Sequence, residues 1–328
     1  MPRLPRRPRP TGAAAAALAL GLVAAAPATG HEPLVTDARV LAHLDLAAGQ
    51  TPENIALGLD GSADLTFASA RQIAHVTDDG RIRTRATLPA VAHARTPLLH
   101  SAVVTGIARA HDGTLYVNYA TGTSATGVWR LSPGDAPEQI AALPADGLPN
   151  GLALDERRGV LYVADSARGT VWRVPQAGGP ATAWAKGAAL APLPAAPARG
   201  FGANGVKVRR DAVWVSNTDR GTLLRVPVLP DGAAGPVETR ADGLADIDDF
   251  AFPGPGRSVL AALNTGNRVV LVRADGTVTT VLTARDGLSD PTSVAVRGRT
   301  VYVPSAASTT RHDPNLLLAR LRHLIGRG

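Results

Sequence analysis

The chain contains no cysteine, which excludes disulfide staples, thiolate metal sites and thiol catalysis. Lysine is almost missing: Lys186 and Lys207 stand alone among abundant arginine, alanine, glycine and proline. That imbalance matches genomic base composition and carries no functional weight. Beyond the N-terminal leader no stretch sustains a 3.6-residue apolar period, so helices are not expected. No apolar run is comfortably long enough to cross a membrane. What remains is a succession of short β-branched runs separated by Asp-Gly and Gly-rich turns, which are hairpin signals.

The N-terminus differs from the rest. Arg3, Arg6, Arg7 and Arg9 precede an Ala/Leu/Val run over residues 13–26, and Ala26-Pro27-Ala28 offers a small-residue cleavage site. Charged, apolar and small-residue regions in that order form a secretory signal. Residues 1–28 are therefore expected to be removed, with residues 29–37 as a linker and 38–328 as one domain. The mature protein would be secreted, periplasmic or at the surface of a bacterial cell, without stable membrane insertion; an uncleaved anchor is the second reading. Four of the +7 formal charges belong to the leader arginines, leaving +3 on the remainder. A body so close to neutral gives no ground for a nucleic-acid partner.

One short pattern recurs. An oxygen-bearing side chain leads directly into an apolar strand at Glu53, Thr105, Asn150, Asn204, Asp248 and Thr292, with spacings of 52, 45, 54, 44 and 44 residues. A period of this size belongs to a propeller blade of four strands. The copies predict an all-β, six-bladed β-propeller. The sixth copy runs through Val294-Ala295-Val296, Thr300-Val301-Tyr302-Val303 and residues 316–321, then ends one strand short. A spare strand over residues 39–49 parallels residues 139–147 and is expected to close the ring, removing the open edges. The two long spacings come from insertions at 89–104 and 187–202, either substrate lids or tolerated surface loops.

The first strand of each blade lines the central channel of a propeller, so the six polar starts should meet at one mouth. Glu53, Asn150, Asn204 and Asp248 supply only hard oxygen donors. They suit Ca²⁺, or another divalent cation of similar preference, and do not suit a zinc site. The bland alternative is that Asn, Asp and Thr merely begin strands by satisfying local backbone groups. It explains poorly the presence of Glu53, which is a poor turn former, and the doubled Asp248-Asp249.

On these residues, over roughly 38–322, the chain resembles the six-bladed calcium propellers that comprise gluconolactonase (senescence marker protein), paraoxonase, diisopropyl fluorophosphatase and strictosidine-synthase-like proteins. The resemblance implies one catalytic Ca²⁺ held by Glu53, Asn150, Asn204 and Asp248. It further implies Asp248 or Asp249 as general base or nucleophile, Asp249 also being placed as an extra ligand, and a small-molecule lactone or ester as substrate. Thr105 stands where paraoxonase-like enzymes carry a histidine; His100, in the first insertion, is the nearest substitute. The alternative from another class is a non-enzymatic propeller of the NHL kind that binds a protein or glycan through its rim loops.

Overall fold

The structure is a computed structural model that describes residues 34–194 and 200–322; the expected signal peptide lies outside them. Six four-stranded antiparallel sheets form a six-bladed β-propeller. In the first blade the strands are Pro52–Leu57, Ala63–Phe67, Gln72–Val76 and Ile82–Thr87, paired in chain order. Val103–Arg109, Pro149–Asp155, Ala203–Val208, Ile247–Ala251 and Ala295–Arg297 open the other five.

The strand patterns follow from position in the blade. Second strands are sandwiched between neighbouring blades, so every residue of Ala63–Phe67, Leu115–Ala120, Val160–Asp165, Ala212–Asn217 and Val259–Leu263 is buried. Burial on both faces explains the continuous apolar runs. Outer strands such as Glu138–Ala142 and Thr182–Lys186 face solvent, with one residue of each buried. The core is divided among the blade interfaces. One such cluster joins Ala56, Ile73 and Leu88 of the first blade to Ile107, Val117 and Tyr119 of the second. Each fully buried side chain of this kind stabilises by about 1.5–3 kcal/mol.

The last blade is completed as expected, by a strand from the other end of the chain. Val35–His43 pairs antiparallel with Asn315–Leu321, from Val35 opposite Leu321 to His43 opposite Asn315. This strand begins at Val35, inside the stretch 29–37 expected to be a linker, so the propeller starts earlier than the sequence pattern indicates. Val35 packs into the cluster around Leu317 and Leu321, and this contact was not visible as a repeat.

Side chains tie each blade to the next. Thr66 Oγ1 donates to Thr105 O at 2.6 Å, Asn118 Nδ2 to Asn150 O at 2.7 Å, Ser166 Oγ to Ala203 O at 2.8 Å and Asn264 Nδ2 to Pro291 O at 3.2 Å. Ser216 Oγ donates to Asp248 O, and Thr292 Oγ1 closes the circle by donating to Pro52 O at 3.0 Å. These bonds satisfy inner-strand carbonyls that the ladders leave over. They fix the backbone carrying the polar starts.

Candidate metal centre

Five of the six polar starts lie where the ladder slips. The register jumps between Pro52 and Asn54, Val104 and Ile107, Pro149 and Leu152, Ala203 and Val206, and Ile247 and Phe250. A bulge re-aims side chains. Here it sends the first polar residue toward one cavity and gives the next residue a different environment. Glu53, Thr105, Asn150, Asn204, Asp248 and Thr292 all line a cavity of about 190 Å³. The residue that follows is glycine in the three middle blades. A Cβ at Gly106 would meet Asn150 O at 2.3 Å, and one at Gly151 would meet Asn204 O at 2.4 Å. Glycine therefore lets adjacent inner strands close up. In the other three blades that residue is Asn54, Asp249 or Ser293, and these form a polar tier of their own.

Among the six starts, two are used as fasteners. Thr105 Oγ1 donates to Pro149 O at 2.8 Å, and Thr292 Oγ1 is the ring closure to Pro52. The other four have donor oxygens to offer. Asn150 and Asn204 are buried, with amide nitrogens held by Ser166 Oγ at 3.3 Å and Thr218 Oγ1 at 2.8 Å. Both residues line the cavity. The Glu53 carboxylate accepts no hydrogen bond from the described residues, and Asp248 Oδ2 takes only a long one, 3.4 Å, from Asn264 beside its contact with Asn204.

Burial, and then the charge of Asp249, pushes Glu53 up to about 7. Burial, then the charges of Glu53 and Asp249, pushes Asp248 well above the usual carboxylate range, against the Asn204 hydrogen bond and Lys207. Two buried carboxylates, both with raised proton affinity, beside two anchored amides fit a hard divalent cation. No trio of His, Cys, Asp or Glu converges among the described residues. The four residues the sequence singles out bring two carboxylates and two amides to the lining of this one cavity.

Asp249 parts company with Asp248. It does not line the cavity. Its Oδ2 receives Lys207 Nζ, Asn54 Nδ2 at 3.1 Å and Ser293 Oγ at 2.9 Å, and its Oδ1 receives Phe250 N at 2.8 Å. Both oxygens are engaged, Oδ2 by three donors, which suits a brace between blades better than the extra ligand or base expected there. Lys207, one of two lysines in the chain, neutralises this carboxylate, only 1% of whose side chain is accessible. Lys207→Met leaves the charge without a cation and should cost about 3–5 kcal/mol in urea unfolding. A loss below about 1 kcal/mol would show that the pair is not a structural brace.

Several cavity residues lacked a sequence signal strong enough to single them out: Thr218, Asp246, Asn264, Thr265 and Ser308. Thr218 and Asn264 each directly follow a second strand, so the periodicity that located the polar starts could have located them too. Asp246 precedes Asp248 by two residues, at a left-handed φ of 58°, with Thr265 Oγ1 bonded to its carboxylate. His100 is exposed and does not line the cavity.

The described parts of both insertions reach this mouth. Leu99 from the first and Phe201 from the second line it, beside Val103 and Leu148. The two insertions touch: Gly200, at φ +86°, lies so near Leu98 that a Cβ would stand 2.6 Å from Leu98 Cδ2. Tyr119 Oη donates to Pro89 O at 2.6 Å, and Asn217 Nδ2 to Ala189 O at 2.9 Å, pinning the base of each loop. The cavity thus has an apolar wall on the side of the second to fourth blades. Opposite stand Asp246, Asn264, Thr265 and Ser308.

No family model and no curated protein matches the chain. Solved structures do. The calcium-binding protein regucalcin from Agrobacterium tumefaciens is 17% identical with a TM-score of 0.63, covering 87% of this chain and 93% of that one. A gluconolactonase from Xanthomonas campestris is 14% identical with a TM-score of 0.60, covering 88% and 97%. A virginiamycin B lyase from Staphylococcus aureus is 14% identical with a TM-score of 0.56, covering 87% and 100%. At such identities the likeness is one of fold.

Proposed function

We propose that this propeller is a Ca²⁺-dependent hydrolase of lactones or related esters bearing an apolar substituent, resembling the gluconolactonase and paraoxonase group. The observation that carries it is the convergence of Glu53, Asn150, Asn204 and Asp248 on one cavity, with both carboxylates held at raised proton affinity. These four side chains would hold the cation, which when bound polarises the ester carbonyl and stabilises its developing negative charge.

The chain's own residues supply the rest. Ser166 and Thr218 engage the amide nitrogens of Asn150 and Asn204, which would leave the amide oxygens to the cation. Leu99, Val103, Leu148 and Phe201 receive the apolar part of the substrate and keep bulk water from it. Asp248, whose burial strengthens its hold on a proton, serves as general base. Water oxygen adds to the carbonyl carbon, its proton passes to an Asp248 carboxylate oxygen, and the ring C–O bond breaks. The proton then goes to the leaving alkoxide, giving a hydroxy acid. The leader expected at residues 1–28 would place this chemistry outside the cytoplasm.

The test is hydrolysis of a panel of lactones and aryl esters with and without chelator. Activity should vanish in chelator and return with Ca²⁺. Phe201→Ala should raise KM for substrates with bulky apolar groups by about 10-fold or more, leaving unsubstituted lactones little changed. Unchanged turnover in excess chelator would overturn the proposal. Calcium binding without turnover of any substrate would instead make the propeller a binding module.

A further inference from the structure

We propose a second site, for a small-molecule oxyanion, in the cleft between the first and second blades at the far end of their inner strands from the hub cavity. Its geometry is independent of any chemistry at the hub.

The repeats act as an internal control. In each blade one second-strand residue stands opposite the last part of the inner strand. Tyr116 faces Ala108, Tyr162 faces Ala153, Trp214 faces Lys207, Leu260 faces Ala251 and Tyr302 faces Ala295. The five side chains are large, mostly apolar and buried. The first blade has Asp64 opposite Ala56, with 0% of the residue exposed. Burying a carboxylate with its counter-ions stabilises a fold no better than apolar packing, and often less well. The other blades show that the fold is served by an apolar residue here, so the exchange calls for another reason.

The surroundings of Asp64 supply one. Arg85 Nε stands 2.6 Å from Oδ1, His75 Nδ1 3.0 Å from Oδ1 and Arg109 Nη1 2.8 Å from Oδ2. Both oxygens are thus engaged from within, and the two arginines keep 25% of their side-chain surface accessible. They open on a cavity of about 450 Å³ that Arg83 also lines. Arg83 is exposed and its guanidinium makes no ion pair or hydrogen bond among the described residues. The one other carboxylate in the lining, Asp60, is turned to its own loop, where it accepts from Ser62 N and Oγ.

Asp64 is thus taken up by Arg85 and Arg109 and Asp60 by Ser62, Arg85 Nη2 lies 2.9 Å from His75 Nδ1, and the N–H donors of Arg83 and those of Arg109 not on Asp64 are available to the cavity. Guanidinium forks match the paired oxygens of phosphate and carboxylate. Leu59 stands at the rim with 78% of its surface exposed and would cover the organic part of such a ligand. Asp64 has the role of positioning Arg85 and Arg109, which would otherwise extend into solvent.

Calorimetric titration of the full chain in chelator, with inorganic phosphate and separately with acetate, tests the site. The wild type should bind one anion per chain with low-millimolar affinity or better, and the tighter of the two identifies the preferred oxyanion. Arg83→Gln, a change at an exposed residue that the fold does not need, should weaken binding at least about tenfold. Glu53→Gln, at the hub, should leave it unchanged. Absence of binding by either anion at tens of millimolar would overturn the proposal. So would wild-type binding by the Arg83→Gln protein, or loss of binding on Glu53→Gln, which would place the anion at the hub.

Discussion

Asp248→Asn should abolish cation binding and lower hydrolysis by at least about 10²–10³-fold, while making the metal-free protein more stable. The two effects have one cause. Asp248 is half-buried in the channel wall beside Glu53, and each loss of charge relieves the other group. Asparagine keeps the shape, removes the repulsion and should raise the unfolding free energy of the chelated protein. A residue retained for packing alone would behave otherwise, since an isosteric amide would be neutral or mildly destabilising. Calorimetry for the ion and urea unfolding in chelator read the two effects separately. Wild-type calcium affinity in Asp248→Asn would remove it from the ligand set.

The metal-free protein should lose stability as pH rises from 5 to 8, and Ca²⁺ should reverse the trend. Glu53 keeps its proton in the folded state until about pH 7, whereas in the unfolded chain it ionises near its ordinary value of 4.5. Between those values the folded state binds the extra proton. Its contribution is complete below pH 4.5 and is lost as pH climbs through 7. For Glu53 alone the loss amounts to about 3 kcal/mol, and Asp248, raised for the same reasons, acts in the same direction. A cation replaces the protons and binds only the folded state, so its stabilisation grows with pH. Urea midpoints at the two pH values, in chelator and in calcium, measure both slopes. Greater stability at pH 8 than at pH 5 in chelator would contradict this account, as would a Glu53→Gln protein with an undiminished slope.

The fold was legible because a propeller repeats its instructions. Second strands buried on both sides must be continuously apolar, and inner strands must begin at equal intervals. One missing strand at the C-terminus and one spare at the N-terminus then predict the closure. The meeting of Glu53, Asn150, Asn204 and Asp248 at one cavity was legible for the same reason, since they occupy equivalent places in separate blades. What escaped was everything decided between blades. Asp248 and Asp249 are neighbours in the chain, yet the bulge gives one to the cavity and the other to Lys207. That separation depends on a lysine in the adjacent blade. The basic cluster around Asp64 was hidden likewise, since His75, Arg85 and Arg109 come from three strands of two blades. The apolar wall needed Leu98 and Gly200, remote in sequence, to meet across the mouth.

The central claim is that Glu53, Asn150, Asn204 and Asp248 form one divalent-cation site. It is tested most directly by titrating Ca²⁺ into the purified, chelator-stripped protein at pH 8 in a calorimeter, alongside Asp248→Asn. The account predicts one ion per chain for the wild type and none for the variant. A wild-type protein that takes up no ion, or a variant that binds as well as the wild type, would contradict it.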